Sequence, residues 1–174
     1  MTKIWKTSSA EETIAAGRTI AALLAPPKLL ILRGDLGAGK TTLVKGIAAG
    51  LVAVEVDEVT SPTFTLVHEY SGRDDGSGIM AGGSGVIANG AYTSGDRISP
   101  GQTGEPVKLF HLDLYRLEQE RELLTLGLEE IEAPGNIVLV EWGEKFASIA
   151  SRADGEIAIR ITGDDAREIT LQLG

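Results

Sequence analysis

The sequence predicts an α/β fold: a three-layer sandwich with a mainly parallel central sheet and an antiparallel hairpin at the C-terminus. Three observations lead there. Two continuous aliphatic runs, Leu29-Leu30-Ile31-Leu32 and Ile137-Val138-Leu139-Val140, have the pattern of strands buried on both faces of a sheet. Stretches with helical spacing are interleaved with strand-like ones, the order expected of helices layered on a sheet. Finally, Ile157, Ile159 and Ile161 alternate with other residues, as do Ile169, Leu171 and Leu173 beyond a Gly163-Asp164-Asp165 turn.

Taken in order, Ile4–Lys6 reads as a short opening strand. Ser9 followed by Glu12 has the form of a capping box, hydroxyl and carboxylate together satisfying helix N–H groups. Ile14, Ile20, Ala21 and Leu24 supply the apolar stripe of that helix, and Pro26-Pro27 ends it. After the Leu29–Leu32 strand, Gly34–Gly39 forms a glycine-rich turn and Lys40–Leu51 a second helix. Phe64–Tyr70 and Val107–Leu112 read as further strands. Leu117–Leu126 reads as a helix with Gly127 as its C-cap. Ser71–Gly104 does not fit the pattern: it contains ten of the chain's 22 glycines and has neither helical nor strand periodicity. Its composition is that of a flexible insertion within one domain spanning residues 1–174.

Composition narrows the function. At 43% hydrophobic and 24% charged, the 174 residues suffice for one sizeable core. No apolar run approaches the roughly 20 residues that cross a bilayer, and no signal-peptide core follows Lys3 and Lys6, so the expected location is the cytoplasm, off the membrane. The absence of cysteine excludes disulfides and thiolate metal sites. With 16 basic residues and a net charge of −9, the chain lacks the cationic excess of an autonomous nucleic-acid binder.

One motif carries chemistry. Gly34-Asp35-Leu36-Gly37-Ala38-Gly39-Lys40-Thr41-Thr42 fits the phosphate-loop pattern G-x-x-x-x-G-K-[ST]. Glycines let successive N–H groups converge on one anion-sized hollow, and the following helix adds its positive end. Gly37, Ala38, Gly39, Lys40, Thr41 and Thr42 are therefore expected to hold a nucleotide such as ATP or ADP. Lys40 would bridge the β- and γ-phosphates, and the Thr41 hydroxyl would face Mg²⁺. With a buried strand before it and a helix after it, the motif makes the predicted sandwich P-loop NTPase-like.

A phosphate-bound Mg²⁺ needs an oxygen ligand from the opposite side. Glu141 ends the second aliphatic run and is best placed to supply it, directly or through water. Asp113 ends the Val107–Leu112 strand on the same face as His111. It is read either as the residue orienting the attacking water or as a turn-forming acid before Leu114-Tyr115-Arg116. His111 reads as a structural hydrogen-bonder, Arg116 as a partner for a carboxylate, Trp142 as core packing. Ser61-Pro62-Thr63-Phe64 reads as a turn whose two hydroxyls suit a γ-phosphate sensor.

Together the phosphate loop, Ser61-Pro62-Thr63-Phe64, His111-Leu112-Asp113-Leu114-Tyr115-Arg116 and Glu141-Trp142, in that order, resemble the TsaE (formerly YjeE) family of small bacterial P-loop ATPases of tRNA threonylcarbamoyladenosine biosynthesis. The resemblance covers roughly residues 4–70 and 105–165. It implies a slow cytoplasmic ATPase that supports modification of adenosine 37 in tRNAs reading ANN codons, acting with TsaB and TsaD subunits that hold the tRNA. It also implies that Lys40 and Thr41 bind phosphate and Mg²⁺, that Glu141 completes the metal site, and that Asp113 serves hydrolysis. Ser9 and Glu144 are placed by the same resemblance near the nucleotide. Two other readings of the loop stand beside this one. A small-molecule kinase would need a basic lid, for which Arg73 and Arg97 in the insertion are the available cations. A nucleotide-binding assembly module would bind without appreciable turnover.

Overall fold

A computed structural model describes residues 1–74, 80–87 and 107–174. Eight strands form one sheet: β1 (Thr2–Thr7), β2 (Lys28–Arg33), β3 (Val67–Asp74), β4 (Met80–Ile87), β5 (Lys108–Asp113), β6 (Asn136–Glu141), β7 (Gly155–Ile161) and β8 (Arg167–Leu173). Their spatial order is β1-β8-β7-β2-β6-β5-β3-β4. Only the middle is parallel, β2 pairing with β6 and β7, and β5 with β6. The β1–β8, β7–β8, β5–β3 and β3–β4 pairs are antiparallel, so the sheet is mixed and the expectation of a mainly parallel one holds for its centre alone.

Alternation along the central strands builds two cores. Leu30 and Leu32 of β2, Ile137 and Leu139 of β6, and Leu109 of β5 face helices α1 (Ala10–Ala21) and α2 (Lys40–Val52). Leu29, Ile31, Val138, Val140, Phe110 and Leu112 face the other way, onto Leu117, Leu123, Ile131 of helix α3 (Leu128–Ile131) and Ile149 of helix α4 (Ala147–Ala150). A strand buried on both faces must be apolar at every position, which accounts for the two uninterrupted aliphatic runs. Burying each such side chain contributes about 1.5–3 kcal/mol before chain entropy is subtracted. Helices on one side, sheet, and shorter helical segments on the other make three layers.

Several local expectations need correction. Ser9 does cap α1, its hydroxyl accepting from Glu12 N at 3.1 Å, but the Glu12 carboxylate accepts from Ser8 N and Ser8 Oγ instead of the Ser9 amide. In α1 the buried positions are Thr13, Ala16, Gly17, Ile20 and Ala21, with Ile14 only half-buried. Phe64–Leu66 is not strand: Thr65 N and Leu66 N both donate to Pro62 O, the turn leaves Phe64 exposed, and β3 begins at Val67. The expected Leu117–Leu126 helix is a 3-10 helix over Glu120–Leu126, started by a reciprocal Gln119–Glu122 capping box. Gly127 closes it at φ 64°, as its cap position requires. Within Ser71–Gly104, where no periodicity is legible, the backbone carries β3 to Asp74 and forms β4, registered from Val67↔Ile87 to Asp74↔Met80. The rest of that segment lies outside the described residues. Among those described, no helix is long and apolar enough to cross a membrane.

The close approach of α1 and α2 bears on where the glycine loop Gly34–Gly39 emerges. At their crossing, a β-carbon on Gly46 would stand 2.0 Å from Ile14 O, so these backbones touch directly. Alanine in a helix interior ordinarily stabilises by about 1 kcal/mol relative to glycine. Gly46→Ala is expected to do the reverse, destabilising by about 1–3 kcal/mol because the helices must move apart. Urea unfolding midpoints test this; a variant as stable as the parent would refute the contact.

Candidate functional site

The parallel strands β2, β6 and β5 end side by side, with Leu32 opposite Glu141 and Glu141 opposite Asp113. The Gly34–Gly39 loop leaves β2 at this edge and turns into α2. Gly39, the residue before the helix, has φ 102°, a conformation that a β-carbon would strain and that brings the helix N-terminus against the loop. Gly37 also has positive φ, and the Ala38 side chain is buried. Thr41 and Thr42 stand half-buried in the first turn of α2.

Lys40 is the centre of the arrangement. Its Nζ donates to Gly34 O at 2.7 Å and Asp35 O at 3.1 Å, and lies 3.6 Å from Glu141 Oε2. The Trp142 ring centroid is 5.5 Å away, within cation–π range. The other Glu141 oxygen, Oε1, accepts from His111 Nε2 at 2.8 Å. Lys40, His111 and Glu141 are all buried. A carboxylate removed from water to this degree is held only because both oxygens have partners.

Asp113 is held separately. Thr63 Oγ1 donates to its Oδ2 at 2.8 Å, and Tyr115 N donates to its Oδ1 at 3.0 Å. The second bond is an Asx turn, so the turn-forming reading of Asp113 describes one of its oxygens. The first bond ties Asp113 to Ser61-Pro62-Thr63-Phe64, in which Ser61 Oγ and Thr63 Oγ1 are 2.8 Å apart. Arg116, expected beside a carboxylate, lies with its guanidinium carbon 4.5 Å from the Phe64 ring centroid, steadying the same turn. Trp142 packs, half-buried, against the second core as expected; it also lies on Tyr115 at 5.3 Å between centroids and takes φ 62°, unusual for so large a side chain.

Ser9 sits at the same end of the sheet. Thr7 is opposite Arg167, and Arg167 Nε donates to Ala38 O of the loop at 2.9 Å. The Ser9 hydroxyl itself is committed to capping α1. Glu144 follows the site in a short turn, half-buried, with Oε2 enclosed and unpartnered among the described residues. The sequence does not show the role of Arg167, because nothing local indicates that β8 begins beside the loop. Thr63 and His111 are in legible motifs, but their bonds to Asp113 and Glu141 depend on strand order.

Thr41, Asp113 and Glu141 offer hydroxyl and carboxylate oxygens, the donors that Mg²⁺ takes. Among the described residues no three His, Cys, Asp or Glu side chains converge closely enough to hold an ion unaided. The donor set therefore fits a Mg²⁺ completed by phosphate oxygens and water.

What these features define is an α/β protein with a glycine loop, a lysine and two acids gathered at the carboxyl edge of parallel strands. The sequence model of the family described as threonylcarbamoyl adenosine biosynthesis protein TsaE matches residues 7–80 and 92–169, leaving out most of β4. The Bacillus subtilis protein named tRNA threonylcarbamoyladenosine biosynthesis protein TsaE is 36% identical over 166 residues, 95% of this chain and 82% of its own. Its namesake in Treponema pallidum is 32% identical over 163 residues, 94% and 95% of the two chains. The crystal structure of Bacillus subtilis YdiB superposes with a TM-score of 0.58 at 31% identity, covering 99% of this chain and 86% of that one. The chain belongs to the TsaE family.

Behind the site, His68 of β3 lies opposite His111 and is buried, its Nδ1 3.2 Å from Tyr70 Oη and 3.3 Å from Thr60 O. Burial, with repulsion from His111 second and the Thr60 carbonyl opposing both, holds the His68 pKa below the ordinary 6.5. The unfolded chain then binds the proton more readily than the native one. The stability His68 contributes is thus present above the ordinary value and is lost as pH falls through the depressed native value. Unfolding free energy measured from about pH 7 to pH 5 should fall less steeply in His68→Gln than in the parent; equal slopes would contradict the assignment.

Proposed function

We propose that this protein binds and hydrolyses ATP, with Mg²⁺, as a P-loop NTPase in the cytoplasm. It supports threonylcarbamoyladenosine formation at position 37 of tRNAs reading ANN codons. Its partners are TsaB- and TsaD-like subunits, through which it reaches tRNA. Family membership supports the pathway. The observation that carries the chemistry is Lys40, buried between the carbonyls of the glycine loop and Glu141.

An ammonium so placed is a preorganised countercharge for a triphosphate, and the N-terminus of α2 adds its share. On binding, Lys40 exchanges loop carbonyls for β- and γ-phosphate oxygens, while the amides of Gly37 to Thr42 contact the phosphates. Thr41 and Glu141 would hold Mg²⁺, Glu141 directly or through a bound water, and the ion would supply positive charge against the phosphates during hydrolysis. Asp113 orients the attacking water, for which Oδ2 becomes available when Thr63 turns toward the γ-phosphate. Thr63 thereby reports the nucleotide state to the exposed Phe64 turn, where a partner can read it. Ser9 and Glu144 border the nucleotide on either side of the loop. The net charge of −9 agrees with tRNA being held by other subunits.

Three substitutions separate these roles. Lys40→Ala should abolish measurable ATP binding by calorimetry. Glu141→Ala should weaken Mg²⁺-dependent turnover more than Mg²⁺-free binding. Asp113→Asn should leave binding intact and slow phosphate release by about 10²-fold or more, the usual scale for losing a water-orienting acid or base. Parent-like ATP affinity in Lys40→Ala would overturn the proposal. Faster phosphate release on adding TsaB and TsaD, with no acceptor supplied, would support both the hydrolysis and the partnership.

A further inference from the structure

We propose that His111 is a positioning residue: it fixes the rotamer of Glu141, so that one carboxylate oxygen faces Lys40 and the metal position. This rests on the proposed function and specifies how that site is built. His111 and Glu141 stand on adjacent parallel strands, with His111 opposite Leu139 and Glu141 two residues further, so both side chains rise on the α1–α2 face. His111 has no solvent exposure, and its Nε2 is 2.8 Å from Glu141 Oε1. A carboxylate oxygen carries no hydrogen to give, so the proton lies on Nε2.

The other ring nitrogen, Nδ1, is buried with no hydrogen-bond partner among the described residues. An apolar side chain would fill this core position without stranding a polar atom. The position is occupied at a disadvantage to packing, and what the imidazole gains there among the described residues is the bond to Glu141. That bond removes one of the two oxygens from competition. Oε2 is left 3.6 Å from Lys40, as the oxygen available to a Mg²⁺ in the proposed function. Without His111, rotation about the last Glu141 bond would exchange the oxygens and let the carboxylate close on Lys40 with both of them. Partners that orient metal-binding side chains in this way commonly affect metal affinity by 10–100-fold.

The test uses the full chain, with calorimetric ADP binding in the absence of Mg²⁺ and the Mg²⁺ concentration giving half-maximal ATP turnover. His111→Leu should raise that concentration about tenfold and change Mg²⁺-free ADP affinity by less than about twofold. His111→Asn, whose amide stops near the place of Nδ1, should behave like leucine. His111→Gln, whose amide reaches the place of Nε2, should recover most of the parent's Mg²⁺ response. In a Glu141→Gln background, His111→Leu should add less than about twofold, because its effect passes through Glu141. An unchanged Mg²⁺ requirement in His111→Leu would overturn the proposal, as would an effect that persists undiminished in Glu141→Gln. Should His111→Leu not fold, equal Mg²⁺ responses of the Asn and Gln variants would overturn it and a recovery confined to Gln would sustain it. A parent protein that fails to bind ADP defeats the proposed function itself; a parent that binds, with variants indifferent to Mg²⁺, defeats this inference alone.

Discussion

A buried carboxylate with two polar partners organises this edge of the sheet. Glu141 is the last residue of β6, and its oxygens meet His111 from β5 and Lys40 from the start of α2. Three elements that are separate in the chain are thus fastened at one point. In a low-dielectric setting neither charge is tolerable alone, and losing one partner of such a pair destabilises by about 3–5 kcal/mol. The constraint explains why the loop between β2 and α2 stands pulled in over the strand ends. Lys40 must satisfy Glu141 and the Gly34 and Asp35 carbonyls at once, and a loop without backbone freedom at Gly39 could not deliver it there.

A second connection runs in parallel and is of a different kind. Asp113 is held by a hydroxyl and a main-chain amide, and Thr63 belongs to a turn whose Phe64 side chain stands in solvent. Thr63 is only half-buried beside that solvent-facing turn, so its hydroxyl can exchange Asp113 for water or a ligand at the cost of one bond to a carboxylate, about 1.5–3 kcal/mol. The Glu141 point is therefore stiff and the Asp113 point exchangeable. That division suits a site in which one acid keeps its place while the other changes partners.

Legibility in the sequence followed the physics of burial. Strands covered on both faces betray themselves by unbroken aliphatic runs, so β2 and β6 were readable, and with them the loop and the acid at their ends. The C-terminal hairpin was readable from Ile157 to Leu173 because one face alone is buried and period two survives. Phe64 misled because an aromatic before β-branched residues looks like strand, whereas the two bonds onto Pro62 O fold it into a turn. β4 could not be read at all: glycine and alanine dominate Met80–Ile87, so no side-chain alternation marks a strand that main-chain pairing with β3 defines. The bonds of His111, Thr63 and Arg167 were illegible for another reason, since each joins segments whose adjacency follows from sheet order and not from local pattern.

Sheet order also bears on where added chain could be accommodated. The family match passes over residues 81–91, and most of β4 falls there. β4 is the outermost strand beside β3, separated from β6 by β3 and β5 and from β2 by β6 as well. An addition at that edge changes neither the β2–β6–β5 register that aligns Leu32, Glu141 and Asp113 nor the α1–α2 contact that aims the loop. Lengthening a connection is inexpensive, since loop-closure free energy grows only with the logarithm of length. The same length placed between β5 and β6 would part Asp113 and His111 from Glu141. Variation is thus compatible with the site only toward the sheet edges, beyond β3, which places His68 opposite His111.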